Sequence, residues 1–508
     1  MNQRRHKLLA ITLGLLCCLN LACTVNTISS AIPTSFATIV KTIQPPATTM
    51  PELPTLTPSP TQISETDLPS GTLQNLQTPD LTSSSTPAIP KTETSDVLAA
   101  NADEALQSLH PVFFLNTGSS ILENQRFLAV ASDETSILVS NGAVLGLANP
   151  FIQKEGNSSS QPNSRVYGLN SACLVKGEGR LRIEGGKIIT DGLGANGIFA
   201  LGQGANLSLA QVSIENLRPV SPGVAVALGG FAELTEIQIR TSADSSAALK
   251  VGRGGGTITS RGGTFATAGA QSPCYLSMGT IFAEGNNCQS AASPLAIVDG
   301  ASTLALRNVS AKASSAEYAV LLYRSGEAQT LPGKSNFSME GGTLGLQNSL
   351  GALFYVTNTE AQITLKEVLL EYSSNLLLQA SANQDWGFSG ANGGKAVLIL
   401  DHAALNGSIR ADRLSSISVS LQNNSTYTGA INEEQSAKLT SFSMDSGSTW
   451  VLTGNSYVNR ISGVLASGNT VLGIIGNGFT LFYDPLLSPS LGGNTYSLTG
   501  GGSLTPAN

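Results

Sequence analysis

From residue 112 onward the chain is written in short words of alternating apolar and polar residues, such as "LRIEGG", "LSLAQVSI", "LTEIQI", "TITSRGG", "LALRNVS" and "ITLKEV". A period of two predicts strands with one buried face. One apolar position from each word gives Leu181, Leu207, Leu234, Ile258, Ile281 and Leu304, at steps of 26, 27, 24, 23 and 23. Phe337, Ile363 and Val397 continue the series at steps of 33, 26 and 34. The longer steps coincide with the polar insertions "RSGEAQTLPGKSN" and "NQDWGFSGANGGK". A second apolar word precedes each first one, as in "GIFALG", "GVAVALGG", "PLAIVDG", "YAVLLY" and "LFYVT". Two or three short strands per ~25 residues, with no helix between them, predict the rungs of a β-solenoid. The expected fold is all-β, a right-handed parallel β-helix over residues 112–508 with capping strands at its C-terminal end.

Glycine punctuates this pattern. In "GRGGGTITSRGGTFATAG", residues 252–269, two glycine runs each lead into a short β-branched word. A phosphate cradle needs a helix after the glycines, and none is spelled here. "GLGANG", Gly192 to Gly197, is a literal GxGxxG, yet the strand-like "IFALG" follows it. Both read as corners, where glycine supplies positive φ or close backbone approach. The Gly-Gly word returns at Gly185, Gly262 and Gly341, spaced by 77 and 79 residues, about three rungs each time.

The 111 residues before the first strands read differently. Arg4, Arg5 and Lys7 precede an apolar run from Leu8 to Ala22, the layout of an export signal over residues 1–23. "LNLAC" resembles a lipoprotein box and makes Cys23 the lipidation candidate, with Asn20 departing from the usual aliphatic residue. Cleavage after Ala31 is the alternative. Residues 24–111 are expected to form a Pro/Thr/Ser-rich tether: eleven of the 22 prolines fall between Pro33 and Pro90, and such composition cannot bury a core. "LAANADEALQSL" within it spells either one short helix or more tether. A net charge of −7, with charged residues at only 12%, argues against nucleic acid as a partner. In an exported protein Cys274 and Cys288, 14 residues apart, are candidates for a disulfide, the alternative being two small buried hydrophobes. Cys173 reads as core.

The words "YGLNSACLV", "GANGIFALGQGA", "GRGGGTITSRGGTF", "LFYVTNTEAQITL", "NGGKAVLIL", "STWVLTGNSYV" and "GNGFTLFYD" run in order from about Tyr167 towards Leu504. As a set they resemble a family of secreted bacterial right-handed parallel β-helix proteins described as adhesin-like. The resemblance implies export, display at the cell surface and no established catalytic residues. It leads to the expectation of a non-catalytic module that binds an extracellular glycan or a cell-surface protein. That module is expected to be a monomer, to need no cofactor or metal, and to meet the membrane only through an N-terminal lipid. A polysaccharide lyase or hydrolase on the same scaffold and a structural spacer are the alternatives. An enzyme needs clustered carboxylates, and the nearest to a cluster are Asp401-His402 and Asp412-Arg413. For ligand contact the candidates are Trp386 and Asp385 in the second insertion, with Tyr323 and Arg324 at the start of the first. Two rungs separate these insertions, so they are expected to share a patch. An aromatic ring there suits the face of a sugar; the alternative is a ring folded back on the coil. Trp450, in a strand pattern, is expected in the core.

Overall fold

The computed structural model describes residues 99–326 and 333–507. The export signal, Cys23 and the Pro/Thr-rich stretch before Ala99 lie outside the described residues. What is described is an all-β parallel β-solenoid of about 16 turns. A first sheet of 12 strands runs from His110–Leu115 to Ser408–Ala411. A second sheet of 22 strands contributes up to two strands per turn, as in Arg180–Glu184 and Lys187–Thr190. From Ala404–Asn406 onward a third sheet of nine strands closes the later turns. Nearly every pairing is parallel, each strand bonding its counterpart one turn away. Leu181, Leu207, Ile258, Ile281, Leu304, Phe337 and Ile363 stack in one inward column, each at most 1% exposed. Alternation puts them there: every second residue points in, and each is covered by the same position of the next turn.

The column departs from the sequence reading at two places. Ala232, not Leu234, stands between Leu207 and Ile258. Leu398, not Val397, follows Ile363. Leu234 also points inward, so a period of two does not separate it from Ala232. In "KAVLIL" the apolar run hides the alternation, and a slip of one residue swaps faces.

Between the two second-sheet strands of each turn the chain bends through a left-handed residue, followed at the Gly-Gly corners by a second glycine of positive φ. Asn124, Asn149, Gly185, Gln211, Glu236, Gly262, Gly285, Asn308, Gly341 and Glu367 occupy this bend in ten successive turns, with φ between 48° and 68°. Seven of them, from Asn124 to Gly285, bond their N–H groups onward to the next turn, as from Gly185 to the Ala210 carbonyl and from Glu236 to that of Arg261. Glycine therefore fills only four of these ten corners.

The first sheet is covered outside as well as inside over its early turns. Two helices do this, Ala102–Ala105 and Gln161–Tyr167. The second was not expected from the strand pattern. Ser160 caps it by accepting from the Asn163 N–H, with proline in its first turn. Val166 and Tyr167 pack with Ala105 and Leu106 on outward Leu138, Leu174 and Phe199. Ala99 donates its N–H to Asn163 Oδ1, and its carbonyl accepts from the Tyr167 hydroxyl.

Cys274 and Cys288 are joined by a disulfide that crosses the core within one turn, from the first sheet to the second. Cys173 is buried and free. Trp450 is fully buried against Phe442, and its indole N–H donates to the Gly429 carbonyl.

Candidate functional site

Strand Tyr318–Tyr323 turns Val320 and Leu322 into the core and leaves Leu321 and Tyr323 on the outer face of the first sheet. Two turns later the register runs from Leu322 through Val356 to Ala380. The second insertion leaves the sheet there, about 10 Å along the axis at the strand spacing. Asn383 folds this loop: its side-chain oxygen accepts the N–H groups of Asp385 and Trp386, and its amide donates to Thr357 Oγ1. Asn392, itself buried, donates to the carbonyls of Asn383 and Trp386, both at 2.7 Å. These bonds aim Trp386 back at the earlier turn. Its ring lies 4.5 Å from that of Tyr323, tilted by 59°.

The structure thus brings Tyr323 and Trp386 together. Trp386 is half-buried and Asp385 exposed. Beside them Tyr318 and Tyr355 stack at 4.9 Å, and Ser381 donates to the Tyr355 hydroxyl. Burial, then the charges of Glu317 and Asp385, push the Tyr318 phenol far above its usual range. Arg324 anchors the corner through its backbone, its carbonyl accepting from Asn358 at 2.7 Å, while its Nε is buried without a hydrogen-bond partner. Phe388, two residues after Trp386, is 82% exposed. The sequence reading passed over it, although "WGF" in a polar insertion already spelled a second ring.

A groove of about 400 Å³ lies on the outer face of the second sheet. Thr259, Phe282, Ala305, Ser338 and Thr364 form one side in register. Two positions along each strand, Arg261, Glu284, Arg307, Glu340, Lys366 and Asp401 stack as a ladder of alternating charge. Lys366 bonds Glu340 at 2.8 Å, and Arg261 faces Glu284 at 3.8 Å. The Lys366 hydrogen bond, then its charge, holds the Glu340 carboxyl below its ordinary range. Asp401, which the sequence reading paired with His402, belongs to this ladder and also accepts from Asn423. His402 instead sits 3.9 Å from Glu367. Asp412 is spent on loop N–H groups, those of Ala382 and Leu414.

Among the described residues no group of three or more His, Cys, Asp or Glu side chains is placed to hold a metal ion. No described helix is long and apolar enough to cross a membrane, which says nothing of strands. No protein-family model matches the chain, and no curated protein matches it in sequence.

Proposed function

We propose that the chain is an exported, surface-displayed binding module of the adhesin-like kind, whose aromatic corner on the first sheet contacts a glycan or protein ligand. The observation that carries this reading is the contact of Trp386 with Tyr323. Two turns far apart in sequence present their rings together, on a loop fixed by two asparagines. Asp385 and Phe388 stand exposed on the same loop. Aromatic faces with polar neighbours suit sugar rings and protein hot spots alike. Display follows in this reading from lipid on Cys23 and a tether ahead of the solenoid. The rival reading, a polysaccharide-active enzyme, would use the groove of the second sheet. There Lys366 favours the ionised form of Glu340, the opposite of what a general acid near neutrality needs.

Binding of the full chain to a glycan array and to intact cells tests the proposal. Trp386→Ala is expected to weaken the strongest signal by ~1–3 kcal/mol, as at a contact hot spot, with the thermal midpoint nearly unchanged. A large drop in the midpoint makes the ring a packing element instead. Turnover of a polysaccharide on the array favours the enzyme.

A further inference from the structure

The six charges beside the groove, Arg261, Glu284, Arg307, Glu340, Lys366 and Asp401, stand in one outward column, one on each of six successive turns. Uncharged residues bound the column, Thr235 before it and Gln422 after it. From Arg261 to Lys366 the side chains are 39–67% exposed, and Asp401 is half-buried. Within the chain these charges are loosely joined. Lys366 and Glu340 meet at 2.8 Å, but Arg261–Glu284 and Arg307–Glu340 stand at 3.8 and 4.0 Å. On the groove floor alongside, Phe282 is 47% exposed.

Six alternating charges, read backwards, carry the opposite sign at every position. A two-fold axis lying in this face and parallel to the strands reverses the order of the turns, and sets the column on its own reversed copy. Arg261 then faces Asp401 of the other copy, Glu284 faces Lys366, and Arg307 faces Glu340, each pair occurring twice. A two-fold axis along the solenoid does the reverse and sets every charge on its own kind. The first rotation also lays Phe282 over Thr364 of the other copy and Ala305 over Ser338, so the one large ring of the floor meets a smaller side chain. Thr257, Thr280, Thr303, Asn336, Gln362 and Val397, the outward residues across the floor, are uncharged and create no like pair.

We propose that a second copy of this chain docks on this face, with the two solenoids antiparallel about that axis. Six layers make a column about 24 Å long, a small face that belongs with weak, transient contacts. Charge complementarity of this kind selects the partner and fixes the register more than it adds affinity. From the sequence alone a monomer is expected, because the six charges line up only once the register of the turns is known. The contact covers the groove and leaves free the first sheet, which carries Tyr323. It does not depend on the aromatic corner binding anything.

Sedimentation of the full chain over a concentration series tests this. At about 0.01 M salt, where the screening length is about 30 Å, a monomer–dimer equilibrium is expected; at about 1 M, where it is about 3 Å, the monomer. Arg261→Glu and Asp401→Lys each set like charges together across the axis. Either one alone is expected to weaken association at least about tenfold, with circular dichroism unchanged. Mixed in equal amounts, the two variants are expected to pair with each other, because one column is then negative at both ends and the other positive at both. Mixing changes nothing within either chain, so this rescue reads the contact between copies and not the repair of a fold. A monomer at low salt overturns the proposal and leaves the face to a partner of other chemistry. A dimer that survives both single variants, or variants that fail to pair on mixing, also overturns it, because association then lies elsewhere.

Discussion

The ammonium of Lys154 is fully buried and donates to three carbonyls, those of Ala131, Glu155 and Gly156. It ties the start of the helix-bearing insertion to the previous turn. Lys154→Met leaves these carbonyls short of a donor, and a loss of about 1–3 kcal/mol is expected in urea unfolding. Burial lowers its pKa to about 8, against 10.5 for an ordinary lysine. The sign follows from proton binding. Between these values the unfolded chain holds a proton that the folded chain has released, so stability rises with pH there and is lower below pH 8. That rise is expected in the wild type and absent from Lys154→Met; the difference between the two unfolding curves isolates it. At the same scale, Trp386 was legible as a candidate because it stands in a polar insertion outside the strand rhythm, and Tyr323 because its strand runs into the other insertion. Their contact was legible only as far as the two-turn spacing of the insertions allowed. The asparagines that aim the loop, Asn383 and Asn392, were not: an Asn in a polar loop carries no mark of which backbone groups it will bind.

Among elements, strand identity was plain in the sequence, because alternation states it directly. The corners were not. Gly-Gly words marked Gly185, Gly262 and Gly341 correctly as bends, yet Asn124, Gln211, Glu236 and Glu367 hold the same left-handed conformation without announcing it. Each bonds its N–H to the next turn or is flanked by strands that do, and that stacking overrides the residue's own preference. Register was legible to within one or two residues, failing at Leu234 and Val397 for want of contrast with their neighbours. The helix over Gln161–Tyr167 was missed because its apolar face, Val166 and Tyr167, is too short to show helical spacing. Two predictions belong here. Gly342, at φ +80°, would bring a Cβ to 2.2 Å from the Val309 carbonyl oxygen. Gly342→Ala is therefore expected to cost more than about 1 kcal/mol, read as a lower denaturant midpoint. The Cys274–Cys288 disulfide closes a loop of 14 residues. Replacing both by serine is expected to cost about 3 kcal/mol on the loop-entropy account. An unchanged midpoint would mean that packing alone holds that turn.

For the solenoid as a whole, the charge ladder has a consequence in arithmetic. Arg261, Glu284, Arg307, Glu340, Lys366 and Asp401 change sign at every turn. Deleting residues 304–336 removes one turn and sets Glu284 beside Glu340. Deleting 304–362 removes two and sets Glu284 beside Lys366. Both deletions keep the inward column in phase and spare the disulfide, so apolar packing does not distinguish them. Salt does: screening relieves like charges, and added salt is expected to raise the unfolding midpoint of the one-turn deletion more than that of the two-turn deletion. Equal responses would mean the ladder is too well solvated to matter. If the responses differ, this stretch of the protein obeys a parity rule. It can gain or lose turns without electrostatic conflict only in pairs, so its length is quantised in steps of two strand layers rather than one.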